Sequence, residues 1–178
     1  MNIREITALT PVIPVLTLTE IEQAVPLARA LVSGGLRVLE IALRGPVAFA
    51  AVEAIRKAVP ESIVGIGSLT RAVEFAAAAR VGAQFGVTPG LTPELASAAR
   101  EARSPGGIGM LQTLGAWFPD VHFCATGGIS RANAPDYLGL PNVACVGGTW
   151  MAPSELMTLR DWAGIESLAR EAAALRKS

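Results

Sequence analysis

The chain has 178 residues, no formal net charge and a sequence pI near 6.6, with 51% hydrophobic and only 5% aromatic residues. That length and composition suit one α/β domain, residues 1–178, with a substantial core, and are far from those of a disordered chain. Zero net charge argues against a nucleic-acid surface, and the absence of any run of about 18 apolar residues argues against a membrane span.

Met1 to Thr10 carries Arg4 and Glu5 and no long apolar core, so no signal peptide is expected. Pro11 to Leu18 reads as a first strand. Thr19 and Glu22 have capping-box spacing and predict a helix, with Pro26 forcing a late restart or a kink and Ser33-Gly34-Gly35 stopping it. Residues 36–43 form the second strand. Gly45-Pro46 opens a second helix that stops at Pro60. Ile63 to Ile66 is a third strand, Thr70 caps a helix through Arg80, and Ala83 to Thr88 is a fourth strand. Strand, loop and helix thus repeat every 20 to 27 residues or so, the signature of a parallel sheet.

The rhythm then fails. A helix from Pro93 reaches about Arg103, Ser104-Pro105-Gly106-Gly107 breaks it, and Ile108 to Ala116 is helical again, with no strand between. It resumes with a strand at Val121 to Ala125, a short helix to Leu138, a strand at Val143 to Val146, and a C-terminal helix from about Leu159 to Leu175. Six strands are readable.

The stretch Arg37 to Arg44 is the chemical centre. Side chains alternate along a strand, so Leu39, Ile41 and Leu43 face one way and Glu40, Ala42 and Arg44 the other. Buried charges need partners or a function. Glu40 and Arg44 lie roughly 13 Å apart along the strand, too far for a simple ion pair. Either this is an edge strand with a solvated face, or the two residues do separate polar work in one pocket. In the second case Glu40 is the candidate proton carrier, because burial raises a carboxyl pKa toward neutrality. Arg44 offers a planar fork for a carboxylate.

Two successive strands run into glycine pairs, Thr126-Gly127-Gly128 and Gly147-Gly148-Thr149. Glycines there let backbone N–H groups approach an anion, as the last loops of (β/α)₈ barrels do for phosphate; the alternative is two structural turns. Ser68 and Thr88 end strands three and four and can line the same mouth or only cap a turn. His122 reads as a strand-start residue, Cys124 and Cys145 as buried core fillers in a reducing cytoplasm, and the three tryptophans as packing or interface residues. With one histidine, no metal-ligand cluster is expected.

The blocks PVIPVLTL, EQAVPLARALVSGGLRVLEIALR, IVGIGSL, GAQFGVTPGLTPEL, FCATGGIS and NVACVGGTW together resemble the bacterial 2-keto-3-deoxy-6-phosphogluconate aldolases. The resemblance implies a TIM-type (β/α)₈ barrel, usually a cytoplasmic homotrimer without cofactor. It implies cleavage of a phosphorylated 2-keto-3-deoxy sugar acid to pyruvate and glyceraldehyde 3-phosphate. By position, Glu40 resembles the proton-transferring glutamate and Arg44 the pyruvate-carboxylate arginine. Ser68 stands for a threonine, and Pro89 for a loop proline near the pyruvate. Thr126, Gly127, Gly128, Gly147, Gly148 and Thr149 resemble the phosphate cradle. The family's Schiff-base lysine, on its sixth strand in a motif like K-F-F-P-A-E, has no counterpart. The only lysines are Lys57 and Lys177. The family's fifth strand, next helix and sixth strand would fall near Arg103-Ser104-Pro105, where the βα rhythm breaks. Without an amine the chain could instead be an inactive, phosphate- and keto-acid-binding remnant, or an isomerase or epimerase that uses Glu40 alone.

Overall fold

The structure is a computed structural model, and it describes residues 2–87 and 107–175. The predicted helix from Pro93, together with Thr88, Pro89 and Lys177, lies outside the described residues.

A short helix α1 (Ile3–Ala8) opens the chain. It went unread in the sequence, although Asn2 and Glu5 form its capping box. Strand β1 (Val12–Leu16) follows. The Thr19 capping box does not form. The chain makes one 3₁₀ turn at Ile21–Gln23 behind Glu20, then helix α2 (Ala24–Ser33) starts late, with Pro26 in its first turn, where no backbone N–H is needed. Next come β2 (Val38–Ala42), α3 (Ala48–Ala58) and β3 (Ile63–Gly67). Helix α4 (Ala72–Arg80) begins one residue later than Thr70 predicts. Its cap is Glu74, whose carboxylate accepts from the backbone N–H groups of Thr70 and Arg71; with the Arg71 side chain these hold its pKa down at about 2.

Beyond the break stand α5 (Gly107–Trp117), β4 (Phe123–Thr126), α6 (Ala134–Leu138) and β5 (Val143–Gly148). The expected C-terminal helix from about Leu159 is α8 (Trp162–Ala173), and a short helix unread in the sequence, α7 (Ser154–Leu159), precedes it. They part at Arg160, whose backbone is left-handed (φ 52°), and Asp161 then caps α8 by accepting from the Gly164 N–H.

The five strands form one parallel sheet in the order β3-β2-β1-β5-β4. The predicted fourth strand is reduced, among the described residues, to a single bridge between Ile66 and Gly86, extended by bonds from Gln84 to Val64 and between Val87 and Ile66. The last strand therefore pairs with the first, which is how a (β/α) barrel closes and a doubly wound sheet does not.

Alternation then sorts the core. Val12, Leu16, Leu39, Ile41, Val64, Ile66 and Val146 pack outward under helices α2, α3 and α8. Ile13, Val38, Ile63 and Cys145 pack inward, with Ile6 of α1 beneath them. Gly34, at the end of α2, lies directly against α8: a side chain there would meet the Ala169 methyl at 2.5 Å and the Glu166 carbonyl at 2.6 Å. Gly34→Val is therefore expected to destabilise the fold by about 1–3 kcal/mol through overpacking. Chemical denaturation would check it, with an unchanged midpoint as the contrary result. Among the described residues, no helix is long and apolar enough to cross a membrane.

Candidate active site

Glu40 is in the middle of β2 and points into the barrel, 7% exposed, opposite the outward Leu39 and Ile41. Its carboxylate rests over Gly67 of β3, where a side chain would collide with Oε1. Gly65, two residues earlier on the same face, makes room for the Phe85 ring in the same way. Burial raises the Glu40 pKa above its ordinary 4.5, and the charge of Arg44 partly opposes that rise. Among the described residues, no hydrogen bond or ion pair fixes the carboxylate.

A cavity of about 430 Å³ opens beside Glu40. Phe85, Gly86 and Val87 line one wall, and Phe123, Cys124 and Thr126 the other. It runs down to Arg4 of α1, Asp120 and His122, none of which the sequence placed at the site. The signal for His122 was its position two residues before an inward-facing strand residue.

Arg44 departs from expectation. Strand β2 ends at Ala42, so Arg44 sits in the following turn and is exposed; it reaches Glu40 through its charge and not as part of the inward face. Ser68 directly follows β3, is half-buried, and holds a left-handed backbone (φ 64°), a strained conformation for a side-chain-bearing residue that is common at functional sites. Gly127 and Gly128 turn out of β4 with φ of 107° and 65°, a path closed to most other residues, and nothing lies within 4 Å of either where a side chain would stand. Asn133 braces this loop, donating to the Gly128 carbonyl and accepting from the Ser130 N–H. Sequence reasoning passed over it.

The second glycine pair differs. Gly147 and Gly148 belong to β5 itself, paired with Ile13 and Pro14 of β1. Gly147 yields space to the Thr126 side chain and Gly148 to the Trp150 ring. Thr126 thus joins the two glycine segments and also lines the Glu40 cavity. Thr149 lies apart, with Thr17 and Ser154, in a separate cavity of about 200 Å³. Cys145 is buried, but Cys124 is exposed and not the core filler its sequence suggested. Lys57 lies on α3 with its side chain 75% exposed and paired with Glu53, away from the Glu40 cavity.

The family model described as "Aldolase: KDPG and KHG aldolase" matches residues 3–105 and 101–168. The chain belongs to the KDPG and KHG aldolase family. It is 41% identical to the KHG/KDPG aldolase of Escherichia coli K12, over 91% of this chain and 90% of that protein. It is 38% identical to the 2-dehydro-3-deoxy-phosphogluconate aldolase of Pseudoalteromonas atlantica, over 92% and 90%. Among solved structures, KDPG aldolase from Legionella pneumophila superposes with a TM-score of 0.88 at 35% identity, covering 98% of this chain and 99% of that one. The aldolase of Zymomonas mobilis ATCC 29191 gives 0.87 at 36%, covering 100% and 99%. The parallel sheet is accordingly a TIM-type (β/α) fold, and the chain is a lyase of the aldolase class.

Comparison with its relatives places unmatched positions at the break in the βα rhythm. The Escherichia coli alignment runs over 192 residues yet takes in 91% of 178, about 162, so about 30 positions of that aldolase have no counterpart here. The two stretches of the family match meet at residues 101–105, the same place.

Proposed function

We propose that this aldolase, a single barrel domain over residues 1–178, cleaves a phosphorylated 2-keto-3-deoxy sugar acid such as 2-keto-3-deoxy-6-phosphogluconate to pyruvate and glyceraldehyde 3-phosphate. The observation that carries the reading is Glu40, a buried carboxylate of raised pKa that shares a cavity with Thr126. Glu40 takes the proton from the C4 hydroxyl as the C3–C4 bond breaks, and returns a proton to C3 of the resulting pyruvate unit. Arg44 and Ser68 hold the carboxylate end, with Pro89 in the adjoining loop. The open N–H groups around Gly127 and Gly128, with the Thr126 hydroxyl, take the phosphate. The protein acts in the cytoplasm as a homo-oligomer, a trimer by family.

Cleavage also needs an electron sink for the carbanion at C3. The Legionella relative was captured with pyruvate as a covalent carbinolamine, the adduct of an amine with the keto carbon. Here the lysines are Lys57, on an outer helix, and Lys177. The test is therefore the intact mass before and after borohydride with pyruvate, together with pyruvate release from 2-keto-3-deoxy-6-phosphogluconate. Release with a single trapped adduct is expected, and peptide mapping would place the amine. A phosphate ester such as 3-phosphoglycerate, with which the Zymomonas mobilis ZM4 aldolase was solved, serves as a binding probe. Binding of that ester with neither adduct nor release would overturn cleavage in favour of a keto-acid-binding member that does not turn over.

A further inference from the structure

Cys124 and Cys145 are directly paired in register across β4 and β5. They are the only two cysteines of the chain, and neither is in a disulfide. Neighbouring strands run about 4.7–4.9 Å apart, inside the Cα separation of about 4.4–6.8 Å that a disulfide accepts. The two thiols differ in access. Cys145 is fully buried under Ile6, Ile13 and Phe85, whereas Cys124 is exposed and lines the Glu40 cavity. The pairing is irregular just there, with a register shift between Phe123 and Cys124 that gives β4 local freedom.

We propose that Cys124 is an oxidation site and Cys145 its resolving thiol, closing a reversible disulfide across β4 and β5 in the wall of the Glu40 cavity. The oxidant is a hydroperoxide. The Cys124 thiolate attacks the peroxide, the O–O bond breaks, and Cys124 becomes a sulfenic acid as one water (from hydrogen peroxide) leaves. The Cys145 sulfur then displaces the hydroxyl, the S–S bond forms, and a second water leaves with the Cys145 proton. Each sulfur gives up one electron to the peroxide. Two features favour the order. Only Cys124 is open to solvent. A hydrogen bond from the Cys145 thiol, with help from the Thr126 hydroxyl, also holds the Cys124 pKa below its ordinary value, against desolvation and the Glu40 charge.

The closure lies two residues from Thr126, which rests on Gly147, so it pulls on the same strand pair that carries both glycine segments. The pair stands whatever the substrate proves to be, because the test requires no turnover. Reduced protein is treated with hydrogen peroxide near neutral pH, denatured, alkylated with iodoacetamide and weighed. The expected product is monomeric, has lost two hydrogens, takes up no alkyl group, yields a linked peptide pair containing Cys124 and Cys145, and recovers both thiols with dithiothreitol. Cys145→Ser should stop at a sulfenic acid on Cys124 that dimedone traps. Thermal melting of that variant confirms that it is folded, and the wild-type mass decides the matter if it is not. Two alkylated cysteines after peroxide would overturn the proposal. So would oxygens added at Cys124 while Cys145 remains alkylatable, or a disulfide that forms only between chains.

Discussion

Glu40→Gln is expected to lower pyruvate release by about 10²- to 10⁴-fold, the usual contribution of a positioned proton carrier and equivalent to about 2.7–5.5 kcal/mol of transition-state stabilisation. The amide keeps the volume and planarity of the carboxylate over Gly67, so the fold should survive. Its stability should in fact gain with pH. The pKa of Glu40 is raised in the folded state, because burial disfavours the charged form. The neutral acid therefore stabilises the fold below pH 4.5, the ordinary value, and that contribution is lost as pH rises through the raised folded pKa. Glutamine carries no charge to bury. Thermal melts at pH 4 and pH 8 should show the variant gaining on the wild type at the higher pH. The pH profile of wild-type kcat should turn at a value above 4.5, where the base form appears. A variant that unfolds, or one that stays fully active per folded molecule, would remove Glu40 from the proposed role.

Gly67→Ala tests the same site without touching its chemistry. An alanine methyl would take the space of Glu40 Oε1, so the carboxylate must swing aside. The displaced atoms are the end of a flexible side chain, and Gly67 has no left-handed backbone to strain, so the stability cost should stay below about 1.5 kcal/mol. The rate should nevertheless fall about a hundredfold, since a misplacement of about 1 Å at a reacting group can cost that much. Parallel measurement of kcat and of the denaturation midpoint separates the two effects. A loss of stability with the rate intact would mean that Glu40 only fills space.

Much of the site was legible in the strand period. Alternation put Glu40 on the face opposite Leu39 and Ile41, and the structure decides between the two readings of that face: β2 is buried along its whole length, with Leu39 and Ile41 in the outer core and Glu40 turned into the barrel. The break near residue 104 was legible because a βα rhythm predicts its next strand. Positions at strand ends were harder. Arg44 shares Glu40's parity, but parity has no meaning past Ala42, where the strand stops. The Thr19 and Glu22 spacing matched a capping box, yet Pro26 favoured a start at Ala24, and the 3₁₀ turn took up the slack. The helix read from about Leu159 begins at Trp162 instead, because the left-handed Arg160 ends α7 and Asp161 then caps α8, and an arginine does not mark such a boundary in sequence.

The sequence by itself determined the parallel α/β class, the placing of Glu40 on the face opposite Leu39 and Ile41, and the shortage of lysines, because these depend on local period and on composition. Tertiary structure alone decided which strands are neighbours. It set β5 beside β1, brought Phe85 and Cys124 to opposite walls of one cavity, laid Thr126 over Gly147, and left Cys124 exposed while its register partner Cys145 was sealed. The physical reason is that a strand's own period fixes which way a side chain points, whereas what it then meets depends on how the sheet curves and closes.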